Sequence, residues 1–344
     1  MWLIYIKKGF TVHKELHYIK IIRDYMARKE LLPNKVEDID TIYSFFEYLS
    51  SGESKTKFNS LYIMNYIYMY IASDEVAKRK TSSRVFEDLL AIIFDGEVTD
   101  SKKRKNIKSD VPECFELVQD KLAGNKREKI DLLFDNSYGV SVKTLMMSNK
   151  EINMGSFEKK ILFDGFEVTK YLTERKTDSD IGLGSKPRLK KLLELLKNNN
   201  YYDKFQDRFE KMFSFIFSDD IILAIKENEK MYLYFFSGEE FTTLFTSKIS
   251  DIDALLKVLN RWEGNSIRID RSMLLDSSIR MVELDFSLLN DTVISLVNEL
   301  DYKLHEIYIQ YFNEKDNQHL KSNLIVSIDE LFNEFQLHIK SLQS

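Results

Sequence analysis

The sequence is poor in the residues that staple or break a chain. It has one cysteine, Cys114, three prolines and eleven glycines in 344 residues. A single thiol excludes an internal disulfide framework and a cysteine-based zinc site, and it fits a reducing cytosol. So few prolines and glycines exclude a proline-rich or linker-like chain and favour long helices joined by short turns. No apolar run reaches the ~18 residues a membrane helix needs, and residues 1–12 are too short and too charged for a secretory signal. The expectation is a soluble, cytoplasmic protein. Charge of one sign is also lacking. With a net charge of -5 there is no global basic signal, so any contact with nucleic acid must rest on a local positive cleft. Several chemical signatures are missing too. No Walker loop, dinucleotide fingerprint or serine-hydrolase elbow occurs, and Ile181-Gly-Leu-Gly184 has neither the flanking Lys-Ser/Thr nor the preceding strand of a phosphate loop. His13 and His17 lie one helical turn apart without a third zinc ligand, and Cys114 has no activating base nearby in sequence.

What is present suffices for a large core. The hydrophobic fraction is 44%, with 13% aromatic residues, and the length allows two domains or one core domain with helical additions. Three regions follow from the patterning: a helical stretch over 1–80, a mixed central region over 81–245, and a mixed, then helical, C-terminal region over 246–344 suited to recognition or dimerisation. In the first region, helices are expected over His13–Leu32, which Pro33 stops, and over Lys35–Ser50 and Phe58–Ala72. The last carries Tyr62, Tyr66, Tyr68 and Tyr70, either a core face or a stacking platform for bases.

In the central region Ser82 and Ser83 precede a helix over Arg84–Phe94, which Asp95-Gly96 ends. Glu87 sits one turn in, either complementing the helix dipole or serving a site. The densest basic run, Lys102-Lys-Arg-Lys-Asn-Ile-Lys108, is either a solvated loop or a phosphate contact. Beyond it, helices are expected over 158–175 and 188–217, strands over Ile221–Ile225 and Met231–Phe236, a helix over Asp251–Arg261, strands over Ser266–Asp270 and Ile279–Asp285, and helix from Leu288 onward. Arg261, Arg268, Arg271 and Arg280 concentrate here without forming a motif.

The strongest chemical signal is the stretch Glu128–Leu145. Ile130, Leu132 and Phe134 alternate with Asp131, Leu133 and Asp135, the period of a half-buried strand. Asn136-Ser-Tyr-Gly139 is a turn cluster in which Gly139 is free to take a positive φ. On the return strand Val140, Val142 and Thr144 face one way, and Ser141, Lys143 and Leu145 the other. Ser141 and Lys143 therefore share a face. If Asp131 meets that face from the partner strand, an acid and an amine stand together on a rigid hairpin.

These residues resemble the PD-(D/E)XK nuclease superfamily, most closely its type II restriction endonucleases. The family places an Asp on one strand, then an acid two residues before a Lys on the next. Here the pattern is Asp131, nine intervening residues, then Ser141-Val142-Lys143. The acid slot holds Ser141, as in the Ser-x-Lys variants that draw the missing carboxylate from the following helix. Two acids compete for that role. Glu151 stands at capping-box spacing from Ser148, whereas Glu158, beyond the Asn153–Phe157 loop, is preferred. The family's proline before the Asp is replaced by Ile130. Glu87 matches an acid that many members keep on the upstream helix.

The resemblance spans roughly residues 83–240. It implies an α/β fold with a mixed central β-sheet flanked by helices, a restriction-endonuclease-like core, and helical additions at both ends. It further implies Mg²⁺ held by Asp131, Glu158, Glu87 and the Val142 carbonyl, with Lys143 holding the attacking water and Ser141 hydrogen-bonding in the same site. The activity implied is sequence-specific cleavage of double-stranded DNA by a homodimer in a restriction-modification system. Two alternatives stay open: another nuclease of the superfamily, serving repair, resolution or phage defence, and a non-enzymatic helical interaction protein whose Asp131–Lys143 pair is an ordinary cross-strand contact.

Overall fold

A computed structural model describes residues 14–73, 76, 82–99, 130–156, 160–172, 180–272, 280–313 and 318–343, apart from 34, 136, 147, 228, 264 and 265. The basic run over Lys102–Lys108, Cys114 and Glu158 lie outside the described residues.

The centre is a six-stranded sheet. Its strands are β1 (Glu97–Val98), β2 (Leu132–Phe134), β3 (Tyr138–Met146), β5 (Asp220–Glu227), β6 (Lys230–Phe236) and β9 (Arg280–Asp285), side by side in that order. The sheet is mixed: β3 and β5 run parallel, and every other neighbouring pair is antiparallel. A parallel pair needs a crossover. Here the crossover holds β4 (Glu151–Ser156), α5 (Lys160–Phe163), α6 (Lys186–Asn198) and α7 (Tyr202–Ile216). With β7 (Leu259–Glu263) and β8 (Ser266–Asp270), β4 builds a second, three-stranded sheet ordered β4-β8-β7.

Alternation along the strands sends side chains into two apolar layers. Val140, Val142, Ile222, Ala224, Leu233 and Val282 face one core. That core is shared with α1 (Lys14–Arg28), α2 (Ile39–Ser50), α3 (Phe58–Ile67), α4 (Ser82–Ile93), α10 (Asp291–Asn313) and α11 (Gln318–Gln343). Ile221, Leu223 and Ile225 face the other, built from α5 to α7, α8 (Gly238–Thr246), α9 (Ile252–Val258) and the small sheet. β5 is apolar on both sides, which is why Ile221–Ile225 reads as an unbroken run.

The helices at the two ends of the described chain pack on each other. Phe58 packs tilted against Phe332 and edge-on against Phe335, and the Tyr25 hydroxyl and Lys29 ammonium both donate to Asp329. Segments 14–72 and 291–343 thus share one core, and β9 of the C-terminal region pairs with β6 of the central one. Tyr62 and Tyr66 are buried, so the tyrosine-rich helix serves packing and offers no base-stacking platform there.

Five local expectations need correction. The helix expected over 188–217 is two, α6 and α7, parted where Asn200 takes a φ of 60°. Glu151–Ser156 is a strand, because pairing with β8 wins over the capping-box spacing. Residues 160–172 form only the short α5 and a single 3-10 turn, since Gly165 and Glu167 take positive φ and break the helix. The helix expected to reach Arg261 stops at Val258, where Leu259 turns extended and begins β7. Positive φ in the hairpin turn belongs to Asp135 and not to Gly139. Gly139 is needed for closeness instead: a Cβ there would lie 2.3 Å from the Ile130 Cδ1 atom.

Candidate active site

The hairpin holds Asp131 from both sides. Its amide donates to the Val140 carbonyl at 2.9 Å, and its carbonyl accepts from Thr99 N at 3.0 Å. Leu132 lies opposite Val140, so Asp131 stands beside Ser141, where regular pairing with β2 has ended. Its carboxylate then takes the role of a backbone acceptor: Asp131 Oδ2 receives Val142 N at 2.7 Å.

The expected shared face is observed. Lys143 Nζ donates to Asp131 Oδ2 at 3.0 Å, to Ser141 Oγ at 2.8 Å and to the Val142 carbonyl at 3.2 Å. Ser141 Oγ donates in turn to Asp131 Oδ2 at 3.2 Å. An ammonium has three protons, and here each has an acceptor. The amine is therefore fixed in place, although Asp131 and Lys143 keep 18% and 21% of their side-chain surface exposed.

Glu87 joins this group from α4. That helix ends where Asp95 adopts a φ of 54° and Gly96 N bonds back to the Ala91 carbonyl at 2.8 Å, after which β1 leads to β2. Helix and hairpin are thus tied within a few residues. Glu87 is nearly buried, and burial pushes its carboxyl up to about 7, with the Asp131 charge adding to the effect. Arg84, at 3.6 Å one turn earlier, and Lys143 pull the other way without matching it. Ser83 Oγ donates to Glu87 at 3.4 Å. Burial is the larger cause, and the neighbouring Asp131 carboxylate acts in the same direction.

Glu151 is elsewhere. On β4 it lies 3.0 Å from Arg261 and 3.7 Å from Arg268, and Asn260 donates to its other oxygen. It is engaged in the second sheet and does not cap a helix. Arg280, the fourth arginine of that stretch, sits on β9 and pairs with Asp40 at 2.6 Å and with Glu240.

Two residues of this neighbourhood escape a reading of the sequence. Arg84 had a local signal, its i,i+3 spacing to Glu87. Lys226 had none, because it closes the apolar run of β5 like any solvent-facing strand end. It is buried beneath α4, where Nζ donates to Ser82 Oγ at 2.9 Å, and burial pushes its ammonium down to about 8. Ser82 is thus the first residue of α4 and the anchor for Lys226.

The chain matches no family model, no curated protein and no solved structure. Among the described residues no helix is long and apolar enough to cross a membrane, and no group of three or more His, Cys, Asp or Glu side chains is placed to hold a metal. The oxygens at hand are the two carboxylates of Asp131 and Glu87 and the Val142 carbonyl. That hard-oxygen donor set suits Mg²⁺ more than a softer metal. Asp131 adds to the rise of the Glu87 carboxyl that burial begins, and a cation placed there would offset that part of it.

Proposed function

We propose that the protein is a Mg²⁺-dependent, sequence-specific endonuclease that hydrolyses double-stranded DNA, of the PD-(D/E)XK type and serving a restriction-modification system. The observation that carries this reading is the triangle of Asp131, Ser141 and Lys143 with Glu87 crowded beside it. Asp131, Glu87 and the Val142 carbonyl are the residues for the metal, with Glu158 as the further carboxylate the resemblance supplies. When bound, Mg²⁺ supplies a Lewis acid for the phosphoryl oxygen and an activated water.

The chain's own groups do the rest. Lys143, held beside Asp131, presents positive charge where the phosphorane gains negative charge, and an N–H released from one of its three acceptors orients the attacking water. Ser141 relays a hydrogen bond between Lys143 and Asp131 and keeps the amine from swinging away. Its neutral hydroxyl adds no charge to a centre that already has two acids. Cutting both strands at a symmetric site calls for a two-fold homodimer, and the enzyme belongs in the cytoplasm with the DNA it meets.

The 3.0 Å separation of Lys143 and Asp131 also suits a second reading, in which the pair only staples the hairpin of a non-enzymatic interaction protein. Incubation with plasmid DNA and Mg²⁺ separates them. Discrete fragments support the restriction enzyme, and a smear or structure-selective nicks support another nuclease of the type. Plasmid left intact at stoichiometric protein removes the nuclease reading.

A further inference from the structure

The outer face of the three-stranded sheet brings two arginines onto one carboxylate. Ile152, Met154, Trp262, Ile267 and Ile269 point into the core. Strand alternation therefore sends Glu151, Asn153, Arg261 and Arg268 outward. The register places Asn153 opposite Arg268, and Arg268 opposite Arg261, in one rung across the sheet.

Two guanidinium groups on adjacent strands converge on a single oxygen, Glu151 Oε2, while Asn260 donates to Oε1. The arrangement holds a monoanion with two oxygens, the Glu151 carboxylate. A DNA phosphodiester has the same charge and the same pair of anionic oxygens. Arg261 and Arg268 keep 37% and 31% of their side-chain surface exposed, so an external anion has access.

The face also lies close to the candidate active site. β4 begins at Glu151, directly after the turn that leaves β3. Arg271 follows β8, and its amide donates to the Lys150 carbonyl at 3.0 Å. Burial pushes the Tyr234 phenol up, and the Arg271 charge is near enough to pull against it. Tyr234 pairs with Leu223, and Leu223 with Lys143, so the three form one rung of the central sheet. Neighbouring strands are about 4.8 Å apart, which puts Tyr234 about 10 Å from Lys143. One turn of duplex, about 34 Å, spans both places. Along the three strands and their immediate ends the sequence carries Lys150, Arg261, Arg268 and Arg271 against Glu151, Glu263 and Asp270, within a chain of net charge -5.

We propose that this face is a contact surface for double-stranded DNA, on which Arg261 and Arg268 exchange the Glu151 carboxylate for a backbone phosphate. Glu151 keeps the two guanidinium groups aligned in the free protein and yields to the phosphate on binding. The proposal rests on the nuclease reading for its partner, but not for its geometry.

The test is anisotropy of a labelled duplex in Ca²⁺ at several salt concentrations, with a thermal melt of each variant. The double variant Arg261→Ala/Arg268→Ala is expected to bind at least tenfold more weakly and to flatten the salt slope by about 1–2. Glu151→Gln is expected to bind about threefold more tightly, because no internal carboxylate competes with phosphate. That opposite sign separates a ligand surface from a structural ion-pair cluster, in which both changes weaken binding or only lower stability. If the alanine pair fails to fold, Arg261→Lys/Arg268→Lys substitutes for it, expected to keep most of the salt slope and lose part of the affinity.

Wild-type affinity in the alanine pair, weaker binding by Glu151→Gln, or tighter binding of single-stranded RNA or an acidic peptide than of duplex overturns the proposal. Plasmid cleavage run alongside distinguishes the two readings. Cleavage that ignores the arginines removes this surface and leaves the nuclease. Arginine-dependent duplex binding without cleavage does the reverse.

Discussion

Two small clusters of the same residue types stand on neighbouring sheets with opposite imbalances. Around the hairpin, Asp131 and Glu87, with Asp88 close by, face Lys143 and Arg84. On the small sheet one carboxylate, Glu151, lies between Arg261 and Arg268. The first cluster brings three carboxyl groups to two cations, and Glu87, pushed up to about 7 chiefly by burial and further by Asp131, is the one that gives up its proton last. The second has guanidinium to spare. An excess of carboxylate invites a cation and an excess of guanidinium invites an anion, so the pair together fits a metal-using enzyme with a phosphate-bearing substrate. Neither cluster alone implies as much, because isolated ion pairs at this exposure contribute little to stability and occur for many reasons.

The largest effect expected at the acid-rich cluster is on chemistry. Lys143→Ala should slow single-turnover cleavage of duplex DNA by at least about 10³-fold, roughly 4 kcal/mol, with duplex binding in Ca²⁺ and the circular dichroism spectrum unchanged. Asp131→Ala should be equally inactive. A Lys143→Ala protein that cuts at the wild-type rate removes the active-site assignment.

Next comes the proton on Glu87. Its folded carboxyl titrates well above the ordinary range, so between about pH 4.5 and 7 the folded state holds a proton the unfolded state has lost. The associated stability is fully present below pH 4.5 and disappears as pH rises through 7. The loss is about 3 kcal/mol. Urea unfolding of Glu87→Gln should therefore show a flatter pH profile, and the variant should exceed wild type in stability at pH 8. Adding Mg²⁺ at pH 8 should raise the melting temperature of wild type more than that of Glu87→Gln, and equal shifts count against Glu87 as a ligand.

Smaller again is the cost of disturbing the hairpin that carries Asp131. Gly139→Ala drives a Cβ into Ile130, which is fully buried. The expected destabilisation is about 1–3 kcal/mol, partly restored by adding Ile130→Val, as urea midpoints would report. The smallest effect is a control. Arg280→Ala removes an arginine of the same sequence stretch that sits on β9 of the central sheet, paired with Asp40 and Glu240. It should cost under about 1 kcal/mol and leave duplex affinity within about twofold, so a large loss of binding there would erase the contrast drawn with Arg261 and Arg268.

The hairpin was legible in the sequence because everything that specifies it is local. Alternation assigns the faces, and a period of two forces Ser141 and Lys143 together wherever the strand goes. Glu87 is different: its distance from the hairpin depends on how α4 hands over to β1, which no residue pattern within the helix reveals, and only the resemblance pointed to it. Glu151 misled for a physical reason. Ser148-x-x-Glu151 has real capping-box spacing, but β4 gains its partner from β8 more than a hundred residues later, a non-local pairing that local spacing cannot anticipate. The arginine cluster was hidden likewise. Arg261 follows the apolar period of α9, and its side chain meets Glu151 only because the chain turns extended at Leu259. Lys226 was hidden by ordinariness, as a lysine at the end of a strand usually reaches water.

The packing of residues 14–72 against 291–343 has a consequence for synthesis. Tyr25 and Asp329, which hydrogen-bond in the finished molecule, are 304 residues apart. At ribosomal rates of about 5–20 residues per second, the first helices wait roughly 15–60 s for the last. Throughout that interval Phe58, fully buried in the folded state, lacks Phe332 and Phe335. The sheet and the Asp131 hairpin can assemble in the meantime, so the nascent chain acquires its candidate chemistry before it closes its apolar surface.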